Sequence, residues 1–153
     1  MRIAGLDVGS KTIGVALSDA LHVTAQPSFV LARRGTRADV AQLVAWSADQ
    51  DVAELVVGLP LELDGREGHR ARRVRVLVEA LEEAFDGPVH LWDERMTTRA
   101  AQQVLLEADL SRRKRKQHVD KVAASFILQG YLDWRQNARD AAATASEPEE
   151  GDR

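Results

Sequence analysis

The spacing of apolar and polar residues predicts a series of short strands in the first part of the chain. Residues 2–8 and 12–18 are apolar runs separated by Gly9-Ser10-Lys11, a pattern typical of two antiparallel strands joined by a tight turn. Residues 28–31, which follow Pro27, predict a third strand. Two later apolar runs, at 55–58 and 88–92, predict a fourth strand and a fifth.

Helical periodicity marks the segments between and after the later strands. Apolar residues recur at helical spacing between residues 40 and 48 and between 74 and 85, which predicts two helices. Thr36-Arg37-Ala38-Asp39 has the pattern of a capping box, so we expect the first helix to open there. Two more helices are predicted, one around residues 97–105 and one from about 119 to 135.

The order of these elements predicts the fold class. Three strands come first, and strands and helices then alternate, so the sequence favours an α/β fold with a mixed five-stranded sheet and helices on both faces. We expect residues 1–136 to form this single domain. Residues 137–153 are small, polar and acidic, and they are expected to form a disordered tail because they offer little apolar surface to bury.

Composition narrows the chemistry and the cellular location. The 153 residues include no cysteine, so disulfides and thiolate metal sites are excluded, and a metal would bind mainly through oxygen. No apolar run approaches the roughly 20 residues of a membrane span. The first residues look like a strand rather than a signal peptide. We therefore expect a cytoplasmic protein with no membrane partner.

The distribution of charge is more informative than its sum. The predicted tail holds five acids and two arginines, which accounts for the whole net charge of −3. Within the neutral remainder, basic residues cluster between Arg66 and Arg75 and again at Arg112-Arg113-Lys114-Arg115-Lys116. The second cluster is expected to lie in a loop before the last helix. The two clusters favour a partner that carries phosphate groups, although either would also suit a solvated surface.

Acidic residues stand at three places where a purely structural role is strained. Asp7 lies within the first apolar strand, Asp93 and Glu94 end the fifth strand, and Asp120 begins the last helix. Each has a simple explanation: hydrogen bonds from the first turn, a strand boundary, and a favourable charge at a helix N-terminus. All three nevertheless fall at the ends of elements that a compact sheet brings together.

Carboxylates gathered at one place repel each other unless a cation lies between them. Oxygen ligands without sulfur select Mg²⁺ or Mn²⁺. Two such ions roughly 4 Å apart can activate water and stabilise the leaving oxygen of a phosphodiester. The acids therefore predict metal-dependent hydrolysis, with no need for a nucleophilic side chain.

Four blocks of the sequence, in this order and spacing, resemble the signature blocks of one family. They are Ile3–Lys11 with Ile13–Ala16, Val57–Pro60 with Asp64-Gly65, Asp93–Arg95 with Thr97-Thr98, and Val119–Lys121 with Ala123-Ala124. They are similar to those of the YqgF family, and the resemblance covers about residues 2–134. It implies an RNase H-like fold, a relation to the RuvC resolvases, and a role as a pre-16S rRNA nuclease or a Holliday junction resolvase.

The resemblance also implies which residues hold the metal. It makes Asp7 the acid that bridges two Mg²⁺ or Mn²⁺ ions and Asp120 the acid of the last helix. Asp93 and Glu94 point to opposite faces of a regular strand, so only one of them can face Asp7. We choose the longer Glu94, with Asp93 as its structural neighbour. Ser10 and Glu62 depart from the threonine and asparagine often found in the family, and the second change puts the role of its loop in doubt.

Candidate contacts to nucleic acid are Lys11, Arg95 and the run from Arg112 to Lys116. For Arg95 the competing interpretation is an ion pair with Asp93, and for the others a solvated surface. The expected function is cutting at the 5′ end of pre-16S rRNA. The alternatives are a resolvase for branched DNA and a non-catalytic nucleic-acid binder in ribosome assembly or transcription. The sequence leaves open whether the chain is a monomer or a homodimer.

Overall fold

The computed structural model describes residues 1–96 and 112–146, with side chains for 1–95 and 122–145. Five strands, one short 3₁₀ turn and three helices lie in these ranges. In chain order they are β1 Arg2–Val8, β2 Thr12–Ser18, β3 Ala25–Ala32, α1 Thr36–Asp49, β4 Val52–Leu59, α2 His69–Ala84, β5 Val89–Asp93, the 3₁₀ turn Glu94–Met96, and α3 Arg112–Ser146.

The strands form one mixed sheet in the order β3-β2-β1-β4-β5. β1 is the central strand, because it pairs antiparallel with β2 and parallel with β4. β4 in turn pairs parallel with β5, which sets Gly58 opposite Trp92 and Leu59 opposite Asp93. The predicted mixed five-stranded sheet is confirmed. The carboxyl ends of β1, β4 and β5 all reach the same edge.

Helices cover both faces of the sheet, as the continuous apolar runs predicted. Side chains such as Leu6, Leu55 and Val57 meet the apolar stripes of α1 and α2 on one face. On the other face, Ile3 and Val56 meet the apolar stripe of α3. Helices thus cover both faces of each central strand, which explains why its sequence is apolar throughout and does not alternate between apolar and polar residues.

Gly5 lets α3 approach the centre of the sheet closely. A Cβ at this position would lie 2.7 Å from the Leu128 Cβ and 2.9 Å from the Ala124 carbonyl oxygen. Both distances are too short for a side chain to fit without moving the helix.

The described helices α1, α2 and α3 all lack an apolar stretch of the length that a bilayer crossing requires.

The start of α1 differs from the predicted capping box. Thr36 is the first helical residue, and Gly35 precedes it with φ at 118° and no side-chain cap. The Asp39 carboxylate instead accepts hydrogen bonds from the Arg34 amide at 2.9 Å and from Arg33 Nε at 3.1 Å. The capping-box prediction is wrong because the end of β3 brings a guanidinium to Asp39, which outweighs the local motif.

The start of α3 also differs from the prediction. The helix begins at Arg112, so the basic run that was expected to be a loop forms its first turns. Lysine and arginine are good helix formers, and no glycine or proline interrupts residues 112–129.

The end of α3 lies at Ser146 rather than near Arg135. The helix therefore includes the first part of the predicted disordered tail, where five of the ten residues from 136 to 145 are alanine, the best helix former. All ten are exposed, in keeping with their lack of apolar surface. The remainder of the predicted tail, and the helix predicted around 97–105, lie outside the described residues.

Candidate active site

A hydrogen bond joins the side chains of Asp7 and Glu94. Asp7 is the sixth residue of β1 and is half-buried, and Glu94 directly follows β5 and is 8% exposed. The two residues are distant in the sequence but share one edge, because β1, β4 and β5 are parallel. The structure thus brings together two of the three acids expected to hold the metal.

Gly58 makes room for the Glu94 carboxyl group. A Cβ on Gly58 would lie 2.5 Å from Glu94 Oε1 and 2.6 Å from Ile127 Cδ1. The carboxyl group therefore rests on the bare backbone of β4, underneath α3. Any side chain at position 58 would compete for the space that Glu94 occupies.

The surroundings of Glu94 favour its protonated form. Burial is the main cause that raises the pKa of Glu94 above its usual range, and the neighbouring charge of Asp93 acts in the same direction. The hydrogen bond to Asp7 and the positive charge of Arg70 act the other way, but they do not offset the burial. Two carboxyl groups in hydrogen-bond contact share a proton, and a divalent cation can take the place of that proton.

Asp93 has a different partner from Glu94. Its carboxylate binds Arg95, with Nε at 3.0 Å from both oxygens and Nη2 at 2.6 Å from Oδ2. The hydrogen bond from Arg95 lowers the pKa of Asp93. Since Asp93 pairs with Leu59, it lies on the α1 and α2 side of the sheet, whereas Glu94 lies on the α3 side with Asp7. The Arg95 side chain is engaged by Asp93, as the competing interpretation expected.

The third predicted acid, Asp120, lies in α3, one turn before Ala124. Ala124 contacts the sheet at Gly5, and Arg135, further along the helix, reaches Glu54 near the start of β4 at 2.5 Å. α3 therefore runs antiparallel to β1, and backbone position 120 lies toward the end of β1 that carries Asp7. The side chain of Asp120 is outside the described part. Within the side chains that are described, no group of three metal-binding residues is formed.

The turn between β1 and β2, which follows Asp7 in the chain, carries Lys11. Lys11 is exposed, and the turn is held by Arg33, whose Nη1 donates to the Gly9 carbonyl at 3.2 Å and whose amide donates to the Lys11 carbonyl at 2.9 Å. Arg33 in turn pairs with the buried Asp39. Arg33 thus holds the backbone of the turn in place, while the Lys11 side chain is exposed to solvent. The side chains from Arg112 to Lys116 are not described.

Two features of the site were missed by the sequence analysis. One is Gly58, whose role depends on a contact that no local pattern announces. The other is a cavity of about 400 Å³ in which Arg70 and Arg73 of α2 face the β1–β2 turn. The cluster of arginines between residues 66 and 75 was a signal for the second feature, although it did not distinguish which members face the acids.

The mixed sheet, the crossing helix α3 and the acids at one sheet edge define a protein of the RNase H-like class. Two solved structures share the fold. Thermus thermophilus RuvC in complex with a Holliday junction substrate matches with a TM-score of 0.60 and 15% identity, over 90% of this chain and 96% of that one. The fowlpox virus Holliday junction resolvase matches with a TM-score of 0.53 and 13% identity, over 88% and 99%.

The chain belongs to the RuvX family, described as Holliday junction resolvase, whose profile matches residues 1–134. A protein of Moorella thermoacetica named "Putative pre-16S rRNA nuclease" is 56% identical over 133 residues, which cover 87% of this chain and 95% of that one. A protein of the same name from Myxococcus xanthus is 49% identical over 87% and 88%. These matches confirm the resemblance found in the four sequence blocks and identify the chain as a member of a nuclease family.

Proposed function

We propose that this chain is a metal-dependent endonuclease that hydrolyses phosphodiester bonds, with Asp7, Glu94 and Asp120 as the ligands of two Mg²⁺ or Mn²⁺ ions. The observation that carries the proposal is the hydrogen bond between the Asp7 and Glu94 side chains at the carboxyl edge of the sheet. A carboxyl pair with one buried and one half-buried member costs stability when both groups ionise, and a cation bound between them would remove the repulsion.

The donor set of the site fits such ions. Asp7 and Glu94 offer only hard oxygen atoms, and the chain has no cysteine to select a softer metal. Bound Mg²⁺ or Mn²⁺ supplies Lewis-acid activation of water and of the leaving oxygen. Asp7 and Glu94 would give up their shared proton on binding, and Gly58 would keep the Glu94 carboxyl group in place beneath α3.

Basic residues around the acids would hold the substrate backbone. Lys11 on the β1–β2 turn, Arg95 after β5 and the Arg112–Lys116 run at the start of α3 are our candidates for phosphate contacts. Such contacts set the affinity and the register of the strand but carry no sequence information. Because Arg95 is bound to Asp93, its role would be to keep a positive charge near the strand end rather than to grip the scissile phosphate.

The substrate that we propose is the 5′ end of pre-16S rRNA, processed in the cytoplasm during ribosome biogenesis. The relatives with this name match nearly their full length at 49 to 56% identity, which supports a shared substrate. The second candidate is branched DNA, favoured by the description of the family profile. A resolvase cuts two strands as a symmetric pair, so it predicts a homodimer on four-way junctions, whereas rRNA processing is compatible with a monomer.

A cutting assay with both substrates tests the proposal. Labelled pre-16S rRNA and a four-way DNA junction are incubated with the protein in Mg²⁺, in Mn²⁺ and in chelator, and the mass of each complex is measured by light scattering. We expect the RNA to be cut only with metal, and we expect Asp7→Asn and Glu94→Gln to lower the rate by about 100-fold or more.

The matched control is Asp86→Asn, which makes the same chemical change on an exposed residue before β5, at the opposite edge of the sheet. It should cut like the unmodified protein. If a dimer cuts the junction and leaves the RNA intact, the proposed rRNA processing is wrong and the protein is a Holliday junction resolvase. If neither substrate is cut and binding is the same in chelator, the protein is a non-catalytic nucleic-acid binder and not an enzyme.

A further inference from the structure

A basic cavity lies between the β1–β2 turn and the first turns of α2. Its volume is about 400 Å³, and its lining residues are Val8, Gly9, Ser10, Lys11, Thr12, Arg70 and Arg73. Three of these described residues are cationic and none is acidic. The cavity therefore combines backbone groups of a tight turn with three side chains that attract an anion.

The cations of this cavity differ from their neighbours in lacking a carboxylate in direct contact. Arg66, Arg75 and Arg95 form ion pairs with Asp64, Glu67 and Asp93, respectively. Among the side chains of residues 1–95 and 122–145, no ion pair or side-chain hydrogen bond engages Lys11, Arg70 or Arg73. Acids thus neutralise three of the neighbouring arginines, whereas no carboxylate among the described side chains contacts the charges inside the cavity.

The cavity lies on the α2 side of the sheet, at the same end of β1 as the paired acids, which lie on the α3 side. Val8 and Gly9, which line it, directly follow Asp7 in the chain. Arg70 lines the cavity and also lies close enough to Glu94 for its charge to act on that carboxyl group. An anion held by Arg70 and Lys11 would therefore lie at the same end of the sheet as the two acids, within the electrostatic reach of Arg70 on Glu94. The bonds from Arg33 to the turn keep its backbone in place for such a ligand.

We propose that this cavity binds a backbone phosphate of the substrate strand, next to the phosphate that is cut, and thereby sets the position of the strand over Asp7 and Glu94. This inference rests on the proposed nuclease function and specifies how its substrate is held. Guanidinium groups form bidentate hydrogen bonds with phosphate oxygens, and an open groove with exposed arginines suits a continuous strand passing through it. Arg70 and Arg73 are positioning residues in this scheme.

The test measures binding without cutting. A fluorescein-labelled single-stranded RNA that spans the 5′ end of 16S rRNA is titrated by anisotropy in chelator, at several salt concentrations. The variants are Arg70→Gln combined with Arg73→Gln, and separately Lys11→Gln, which alters the cavity from the turn side. The matched control is Arg72→Gln, which removes the same charge from the same helix at a position outside the cavity.

We expect the double variant to bind roughly tenfold more weakly and to lose about 0.7 unit of the salt slope, the amount that corresponds to one phosphate contact of a single strand. Lys11→Gln should lose part of the same slope, because it removes one of the charges that face the same phosphate, and Arg72→Gln should keep the slope of the unmodified protein. Methylphosphonate substitution, one phosphate at a time, should weaken binding of the unmodified protein at one position near the cut and have no effect there in the double variant. Melting temperatures check that each variant is folded.

The outcomes separate this proposal from the nuclease function. If the double variant and Lys11→Gln both keep the salt slope of Arg72→Gln while the unmodified protein cuts RNA with metal, the cavity proposal is overturned and the nuclease stands. If the slope falls as expected but no substrate is cut, the cavity binds phosphate in a non-catalytic protein. Misfolding of the double variant leaves Lys11→Gln to decide the question.

Discussion

The Glu94 carboxyl group lies against the backbone of Gly58 and hydrogen-bonds to Asp7. Three parallel strands meet in this arrangement: β1 supplies one acid, the residue after β5 supplies the other, and β4 between them supplies an empty space. The pair is therefore a property of the sheet and not of any one segment. Its burial, and the contacts that hold the surrounding elements, have consequences that can be measured.

Replacing Glu94 by glutamine should stabilise the metal-free protein at neutral pH. Because burial raises the pKa of Glu94 in the folded state above its ordinary value of 4.5, the folded protein binds more protons than the unfolded chain. Stability is therefore lost as the pH rises from about 4.5 through the raised pKa. Glu94→Gln should remove this loss, which we expect to be on the order of 1 kcal/mol.

Urea unfolding in chelator at pH 4.5 and pH 8 measures this effect. The free energy of unfolding of the unmodified protein should fall more between the two values than that of Glu94→Gln, whereas Asp86→Asn should follow the unmodified protein. An identical pH dependence in Glu94→Gln would show that burial does not control this carboxyl group.

Placing a methyl group at position 58 should impair the site directly. The added Cβ of Gly58→Ala would approach Glu94 Oε1 to 2.5 Å and Ile127 Cδ1 to 2.6 Å, so the Glu94 carboxyl group and the end of the Ile127 side chain must move. We expect a loss of stability of about 1–3 kcal/mol and a larger loss of cutting than the unfolded fraction explains.

Gly5→Ala is the comparison variant for Gly58→Ala. It forces a more severe clash, against the Leu128 Cβ and the Ala124 carbonyl oxygen of α3, but it does not touch Glu94. It should lower stability while retaining more activity per folded molecule, measured at a temperature where both variants are folded. Equal activity of the two variants would remove Gly58 from the account of the site.

Replacing only one partner of the ion pair between Arg33 and Asp39 should strongly lower the free energy of unfolding. Arg33 is 12% exposed and Asp39 is 1% exposed, so removing one leaves a buried charge without its partner. We expect Asp39→Leu and Arg33→Met each to cost about 3–5 kcal/mol, and the double variant to cost less than either. Chemical unfolding of the four proteins gives the coupling energy, and additive losses would contradict the pairing.

The stability that the contact between α3 and the start of β4 contributes should decrease at acidic pH. Burial opposes ionisation of Glu54, but hydrogen bonds from His90 and Arg135 outweigh it and hold the pKa of Glu54 below its usual 4.5. The ionised group therefore contributes stability above pH 4.5, and this contribution is lost as the pH falls through the lowered pKa.

Glu54→Gln tests this contact, with Glu83→Gln on the exposed face of α2 as the control. We expect Glu54→Gln to lower the free energy of unfolding by about 1 kcal/mol at pH 7 and by less at pH 3. Glu83→Gln should leave both values close to those of the unmodified protein. A loss that is the same at both pH values would assign Glu54 a packing role instead.

Much of the fold could be predicted because the pattern of apolar residues within short segments indicates the strands and helices. The apolar runs at 2–8, 12–18 and 55–58 are strands whose burial on both faces leaves no alternation, and this pattern is visible without knowing the partners. The acids were likewise visible as polar residues inside or beside apolar elements. Local rules failed where a distant residue competed with them, as when Arg33 engaged the Asp39 carboxylate that the capping box had assigned to α1.

The sequence by itself determined the succession of strands and helices along the chain, the presence of helices on both faces of the sheet, the family and the identity of the candidate acids, because each depends on periodicity or on short motifs. The choice of Glu94 over Asp93 was a prediction from side-chain length, and the tertiary structure shows Glu94 in contact with Asp7. Tertiary structure alone decided that Gly58 makes room for Glu94 and that Arg70 and Arg73 share a cavity with Lys11. These relationships depend on which strands pair and on how α2 packs against the first turn. They arise from contacts between segments that lie far apart in the chain, and such contacts leave no periodic signal in either segment.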